Sequence, residues 1–453
     1  MKILLAHEAL MGASPGAVAH PPARTVAKFD LTHVLAAATL AAASTAVFAD
    51  TPDSSTTAAS SEVVITAQKL NDARSNIETK TGASTYKIDT DAIQAIPGGE
   101  NTLLNQVLLR APDVAQDSFG QLHVRGEHNG LQYRLNGIIL PEGISVFSQA
   151  FDPRLVESLS LIMGALPAEY GLRTAGIIDI TTKSGLFEPH GAISMYGGSH
   201  NEIEPSIFHG GSVGNLNYFV TGDFLRNNLG IESPDGSSSP KHDETRQYHG
   251  FGYFEYILSP QDRVSWVLAT SHAEFQIPEH FGLAPAPGLT VFDPSLGQDI
   301  TDIPGGSAAI NENQTEITHF GIVSYQHSQD SFDVQTSLSV RYSSLTYFPD
   351  MYGDLLYQGD SQNAYKRDVA YGWQTDSAFH LNDAHTLRAG FYLQHDKSTS
   401  RTTTLVLPTP CSGGGTPDNP IACGQEFSRR RTRIKTLACY RESRVCQAFF
   451  SHR

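Results

Sequence analysis

Between Phe332 and Ser343 apolar and polar residues alternate. Phe332, Val334, Thr336, Leu338, Val340 and Tyr342 share one face of an extended strand, and Asp333, Gln335, Ser337, Ser339, Arg341 and Ser343 share the other. The same period of two recurs from about Gly191 to Asp396 and predicts roughly nine strands, among them 191–196, 216–224, 248–258, 263–272, 320–326, 332–342, 370–379 and 387–394. Most approach or exceed the about 9–11 residues that cross a bilayer at a tilt. A half-buried strand of a soluble sandwich alternates in the same way. Loop rhythm separates the two. Gly214-Asn215 and residues 259–262, 328–330 and 381–384 are short turns, whereas 227–245, 274–312, 346–367 and the stretch from 397 onward are long and polar. Short turns on one side and long loops on the other predict an antiparallel transmembrane β-barrel over 190–427. Aromatic residues near strand ends, Trp266 and Trp373 among them, suit an interfacial belt.

The pattern changes upstream. Residues 31–49 form an alanine-rich apolar run ending Val47-Phe48-Ala49, preceded by Lys2, Arg24 and Lys28. That arrangement predicts a signal peptide over 1–49, with a leader long enough to suggest a misassigned start codon. No later segment reaches the roughly 18 apolar residues of a spanning helix. Residues 50–61, rich in Ser, Thr and Ala, predict a flexible linker. Glu62-Val63-Val64-Ile65-Thr66-Ala67 is a β-prone island that needs a partner to be stable. Residues 70–185 predict a compact α+β segment. Short helices over 91–96 and 103–109 each stop close to a proline, and strands follow over 121–125, 132–139, 158–163 and 176–182. Glycines 126, 137, 164, 171 and 176 fall where turns or close backbone approach are expected.

This order of parts resembles a TonB-dependent outer-membrane receptor, over Glu62 to about Pro408. Glu62–Ala67 resembles the TonB box. His123-Val124-Arg125-Gly126, Tyr133-Arg134-Leu135-Asn136-Gly137, and Ala168-Glu169-Tyr170-Gly171 followed by residues 176–183 resemble the plug domain. Asn136 stands where the family usually carries Asp. The resemblance implies a plug over 70–185 filling a barrel of about 22 strands. It further implies the Gram-negative outer membrane as location, outer-membrane lipid and TonB as partners, and uptake of a scarce ligand such as a ferric siderophore. Arg125 and Arg134 would face carboxylates on the barrel's inner wall. Residues 62–67 would add as a strand to the edge of TonB's sheet, where main-chain hydrogen bonds supply affinity. A pull on that strand could unfold the plug locally.

Composition narrows the alternatives. Acidic residues outnumber basic ones 47 to 31, giving a net charge of −16, which argues against nucleic acid as a partner. Gly210-Gly211-Ser212-Val213-Gly214 matches the serine-hydrolase elbow pattern but leads into a strand, so Ser212 is expected in a hairpin rather than an active site. No zinc-protease, phosphate-loop or dinucleotide motif occurs, and no enzyme, cofactor or metal is expected. His242, His249, His272 and His280 lie in or near the long loops; neutral imidazoles there could capture a transition metal, but the irregular spacing favours scattered surface histidines. Cys411 and Cys423 flank a Gly/Pro-rich loop and could pair in an oxidising compartment. A periplasmic or secreted β-rich binding protein is the rival reading.

Residues 428–453 differ again: 8 of the 31 basic residues and one of the 47 acids fall there, and alternation is lost. The change predicts a frameshifted basic tail, with a basic interaction segment as the alternative. A sheet of roughly nine strands would be open, and its unpaired edges would lie in hydrocarbon at several kcal/mol per group. The sequence therefore predicts a truncated, non-transporting fragment.

Overall fold

Two sheets, of five and ten strands, hold most of the described strands. The structure, a computed structural model, describes residues 54–77, 83–117, 121–128, 130–144, 151–166, 170–231, 233–234, 236–293, 295–382, 384–406 and 437–452. Residues 63–453 belong to one compact unit.

The first described element is helix α1 (Ser54–Ile77). Glu62–Ala67 lie within it, so the β-prone island is helical, and so is the described part of the expected linker. Ala67, Leu70, Ala73 and Ile77 are buried, at the spacing of one helix face, and Ala67 and Leu70 pack with Val63, Leu186 and Ile257. That face outweighs the β preference of Val63, Val64, Ile65 and Thr66.

The smaller sheet is mixed, with β1 (Ala83–Asp89), β6 (Val156–Gly164), β7 (Gly176–Thr182), β4 (Leu131–Leu135) and β5 (Ile138–Ile139) side by side in that order. Only β4 and β7 are parallel. A separate two-stranded ribbon pairs β2 (Val114–Gln116) with β3 (Leu122–Val124). The expected strand over 132–139 is instead a hairpin, bent at Asn136-Gly137. Helix α2 (Thr90–Gln94) is capped by Asp89, whose side chain accepts from the Ala92 N–H at 2.9 Å, and it stops before Pro97. Helix α3 (Leu104–Leu108) covers the sheet with Leu104, Val107 and Leu108, which join Leu135, Leu159, Leu161, Ile178 and Ile180 in the main apolar core.

The larger sheet is a ten-stranded antiparallel meander: β8 (Gly191–Gly197), β9 (Ile203–Val213), β10 (Leu216–Asn227), β11 (Thr245–Ile257), β12 (Asp262–Gln276), β15 (Asn313–Gln329), β16 (Phe332–Phe348), β17 (Asp360–Asn382), β18 (His385–Val406) and β19 (Leu437–His452). A small hairpin, β13 (Val291–Asp293) with β14 (Gln298–Ile300), and helix α4 (Met351–Tyr357) decorate its long connections. Every strand pairs with its neighbour in sequence, and connections alternate short and long as the loop rhythm predicts. The strands run longer than the alternation marks, so β16, β17 and β18 take in much of the stretches expected as loops. Within residues 428–453, expected as an aberrant basic tail, Leu437–His452 pairs with β18.

The wetting of this sheet is inverted. Asp333, Gln335, Ser337, Arg341 and Ser343 are buried, whereas Leu338 on the opposite face is 61% exposed. Register lines up Tyr218, Phe254, Trp266, Val323, Leu338, Trp373 and Leu393 across seven neighbouring strands. That row is an outward apolar band. Phe251, Tyr253, Val267, Phe320 and Ile322 point the other way and extend the core of the smaller sheet, which packs against the concave polar wall.

Candidate functional site

The seam between the inner sheet and the polar wall gathers most of the buried charge. Three stretches are held there. The end of α1 is the first. Gln326 donates to the Leu70 carbonyl (2.6 Å), Arg263 to the Asn71 side chain (2.7 Å), and Arg388 to the Asn76 and Ile77 carbonyls (both 2.9 Å). Arg263 also reaches Glu255 at 3.1 Å, and both are buried.

The second stretch follows β4. Arg134, buried, stacks its guanidinium 4.7 Å over the ring of Tyr170, itself fully buried, and acts electrostatically on Asp376 of β17. Arg134 thus feels the charge of a wall carboxylate. Arg125 does not: it sits on an exposed turn and pairs at 3.4 Å with Asp113, a neighbour in its own domain. The two motifs containing these arginines end alike. Arg125-Gly126 and Asn136-Gly137 both have positive φ (53° and 75°, 53° and 80°), the backbone of a type I′ turn. Asn136 is suited to that conformation. Its side chain also donates to the Thr182 hydroxyl (2.8 Å) and accepts from the Thr182 N–H (3.0 Å), and an Asp carboxylate could not donate. The wall grips the same loop: Gln374 donates to the Gly137 carbonyl (3.0 Å) and accepts from the Ile139 N–H (2.8 Å), Arg341 donates to the Pro141 carbonyl (3.0 Å), and Ser343 accepts from the Ile144 N–H (2.8 Å).

The third stretch is Asp152-Pro153-Arg154. Arg154 bridges Asp152 and Glu204 of β9, both at 2.6 Å, and donates to Asn101. Asp152 adjoins Asp223 of β10, whose Oδ2 lies 2.8 Å from Nδ1 of His249 on β11. Burial first, and then Asp223, raises the Asp152 carboxyl well above the usual carboxylate range. No donor among the described residues reaches Oδ1 of Asp223 or Oε2 of Glu204. Lys183 pairs with Glu100 nearby at 2.6 Å.

The remaining candidates separate. Glu62 and Ile65 are exposed on α1, Val63, Val64 and Thr66 half-buried, and Ala67 buried. Gly171 is exposed beside Tyr170, while Ala168, Glu169, Cys411 and Cys423 lie outside the described residues. Ser212 sits in β9 opposite Asn217, one residue before the β9–β10 turn, so the strand-to-helix elbow of a hydrolase is absent there. His242, His272 and His280 have separate neighbours: His242 contacts the Glu312 carbonyl, His272 Glu274, and His280 the Phe281 carbonyl. Only His249 belongs to a charged cluster. Sequence reasoning missed Asp152, Arg154, Glu204 and Asp223, which come together only when three strands and one loop meet.

No family model and no curated protein matches the sequence. Solved structures do match. The ferripyoverdine receptor of the outer membrane of Pseudomonas aeruginosa superposes with a TM-score of 0.56 at 12% identity, over 82% of this chain and 49% of that one. The ferric citrate transporter FecA gives 0.52 at 12%, over 75% and 51%, and the copper transporter OprC gives 0.51 at 10%, over 70% and 47%. The fold is that of the TonB-dependent receptors. This chain spans about half the length of the receptors it matches. Within the receptor fold, the polar inner wall and outward apolar band are the surfaces a lipid-embedded, filled barrel requires.

Proposed function

We propose that the chain belongs to an outer-membrane receptor that takes up a scarce ligand, such as a ferric siderophore, under the drive of TonB. The observation that carries this reading is the inverted sheet. Its apolar row lies outside, its charged and amide side chains lie inside, and a second domain packs against the inside through a shared apolar core. A water-soluble binding protein would bury the row containing Leu338 and Trp373, so the inverted faces argue against the secreted rival. In this reading the inner domain is the plug, residues 1–49 are the export signal, and ligand choice resides in the long connections.

Energy coupling would begin at α1. Val63, Val64, Ile65 and Thr66 are poor helix formers and good strand formers, so unwinding Glu62–Ala67 to pair with TonB's sheet edge has a low cost. A pull would then load the seam through Leu70, Asn71, Asn76 and Ile77, the residues that Gln326, Arg263 and Arg388 hold. Among the described residues β8 and β19 each pair along one edge only, and closure in hydrocarbon calls for further strands. We accordingly expect these ten alone not to transport.

Fractionation tests the reading. The chain should partition with outer membranes and cross-link through a cysteine at Ile65 to the TonB C-terminal domain. Recovery as a freely soluble periplasmic protein would overturn it.

A further inference from the structure

The cluster at Asp152 joins four separate pieces of chain and is more than a salt bridge. We propose that Asp152, Asp223 and His249 hold one divalent first-row transition-metal ion, which clamps the inner domain to strands β10 and β11. One donor atom from each residue lies within 4.8 Å of the others. Metal bonds of about 2.0–2.4 Å span such a gap with little movement. The 2.8 Å between His249 Nδ1 and Asp223 Oδ2 also suits two ligands on one ion.

Two independent observations point to a cation. Asp223 and Glu204 are buried, and each keeps one oxygen that no donor reaches among the described residues. A carboxylate oxygen left this way carries a large desolvation cost that a metal bond removes. A cavity of about 20 Å³, lined by Asp152, Arg154, Glu204, Asp223 and His249, adjoins these atoms and has room for one water or ion. Charge agrees. Once Asp152 gives up its proton to the ion, three carboxylates and one guanidinium leave two negative charges with His249 neutral, which one divalent ion cancels. Imidazole among carboxylates favours zinc, cobalt or manganese over calcium or magnesium. The clamp goes beyond uptake: it would hold the two sheets together whether or not the chain carries a ligand.

The full chain, folded in detergent micelles and stripped with chelator, is incubated with Zn²⁺ or Co²⁺, passed through gel filtration and assayed for bound metal. One equivalent of Zn²⁺ should remain, and Co²⁺ should give visible d–d absorption. His249→Gln and Asp223→Asn should weaken retention by about 100-fold or more, since even outer-shell partners are worth about 10–100-fold. Asp330→Asn, in an exposed turn away from the cluster, should bind as the parent does. Zn²⁺ should raise the thermal unfolding temperature of the micelle-held parent and not that of His249→Gln. A parent chain that retains no metal overturns the proposal, as does a folded His249→Gln that retains it equally. The first result would mean that shared protons balance the cluster.

Discussion

The inner sheet and the large sheet bury different side chains. In the inner domain Leu159, Leu161, Ile178 and Ile180 face the main core, while Ile162 and Ile177 on the opposite face pack with the buried Tyr170. In the large sheet the inward positions are Gln335, Ser337, Arg341 and Gln374, and Leu338 and Trp373 face out. Alternation marks the large sheet, whereas β6 and β7 of the inner sheet are buried on both faces. What differs is the medium each face meets: water or a polar partner on one side, apolar protein or hydrocarbon on the other. The period of two therefore reports a strand and leaves its inside undecided. The seam is where the two solutions meet, and it has to satisfy buried charge that neither sheet holds alone.

The largest test breaks that seam. Arg154→Met removes the cation that links Asp152 to Glu204 and strands buried carboxylates, which should cost about 3–5 kcal/mol. Urea titration in micelles would read the loss, and a change below about 1 kcal/mol, the range of surface pairs, would mean that the cluster is wet. Next comes the outer face. Leu338→Arg should cost about 2–4 kcal/mol when the protein folds into vesicles, because that position lies in the apolar band. If this row faced water, the same substitution would be nearly neutral, and the contrast between the sheets would fail.

Much of this contrast was legible beforehand. Strands β10, β11, β12, β15, β16 and β17 announce themselves by alternation, and their turns by Gly214-Asn215 or Ser259-Pro260. Less was legible in β9, where Pro205, Gly210 and Gly211 interrupt the apolar pattern, or in β1, whose single buried residue is Ile88. Helix α1 was misread because Val63–Thr66 favour strands locally; the competing signal, Ala67, Leu70, Ala73 and Ile77 at helical spacing, begins just beyond that run. Strand β19 was hidden by its arginines, which blur the two-residue period. The Asp152 cluster had no sequence signal at all, since its members are brought together by cross-strand register rather than by spacing.

Asn136 sharpens the comparison at smaller scale. Asn136→Ala removes two hydrogen bonds to Thr182 and leaves a side chain with less tolerance for positive φ, so a loss of about 1–3 kcal/mol is expected. Asn136→Asp keeps the bond from the Thr182 N–H and should lose less. Hydrogen exchange at Ile180 and Thr182, next to the turn, would distinguish local loosening from global unfolding.

The smallest effect lies outside both sheets, where the long connections carry their own buried acids. Glu279 is pushed up to about 8, by burial and then by the charge of Glu312, and Asp354 in α4 to about 8, by burial and then by its hydrogen bond with Glu312. The folded loops therefore keep protons that the unfolded chain releases near its ordinary carboxylate values of about 4. Where the folded state binds more protons, stability falls as pH rises, so loop packing should weaken steadily from about pH 5 to about pH 8. Limited proteolysis of the 277–312 connection should run faster at pH 8.5 than at pH 6, after correction for protease activity, while the inner sheet stays protected at both. Glu279→Gln, which is neutral throughout, should flatten that dependence. If the connection is cut equally at both pH values in the parent chain, Glu279 and Asp354 are solvated and do not set the packing of this loop.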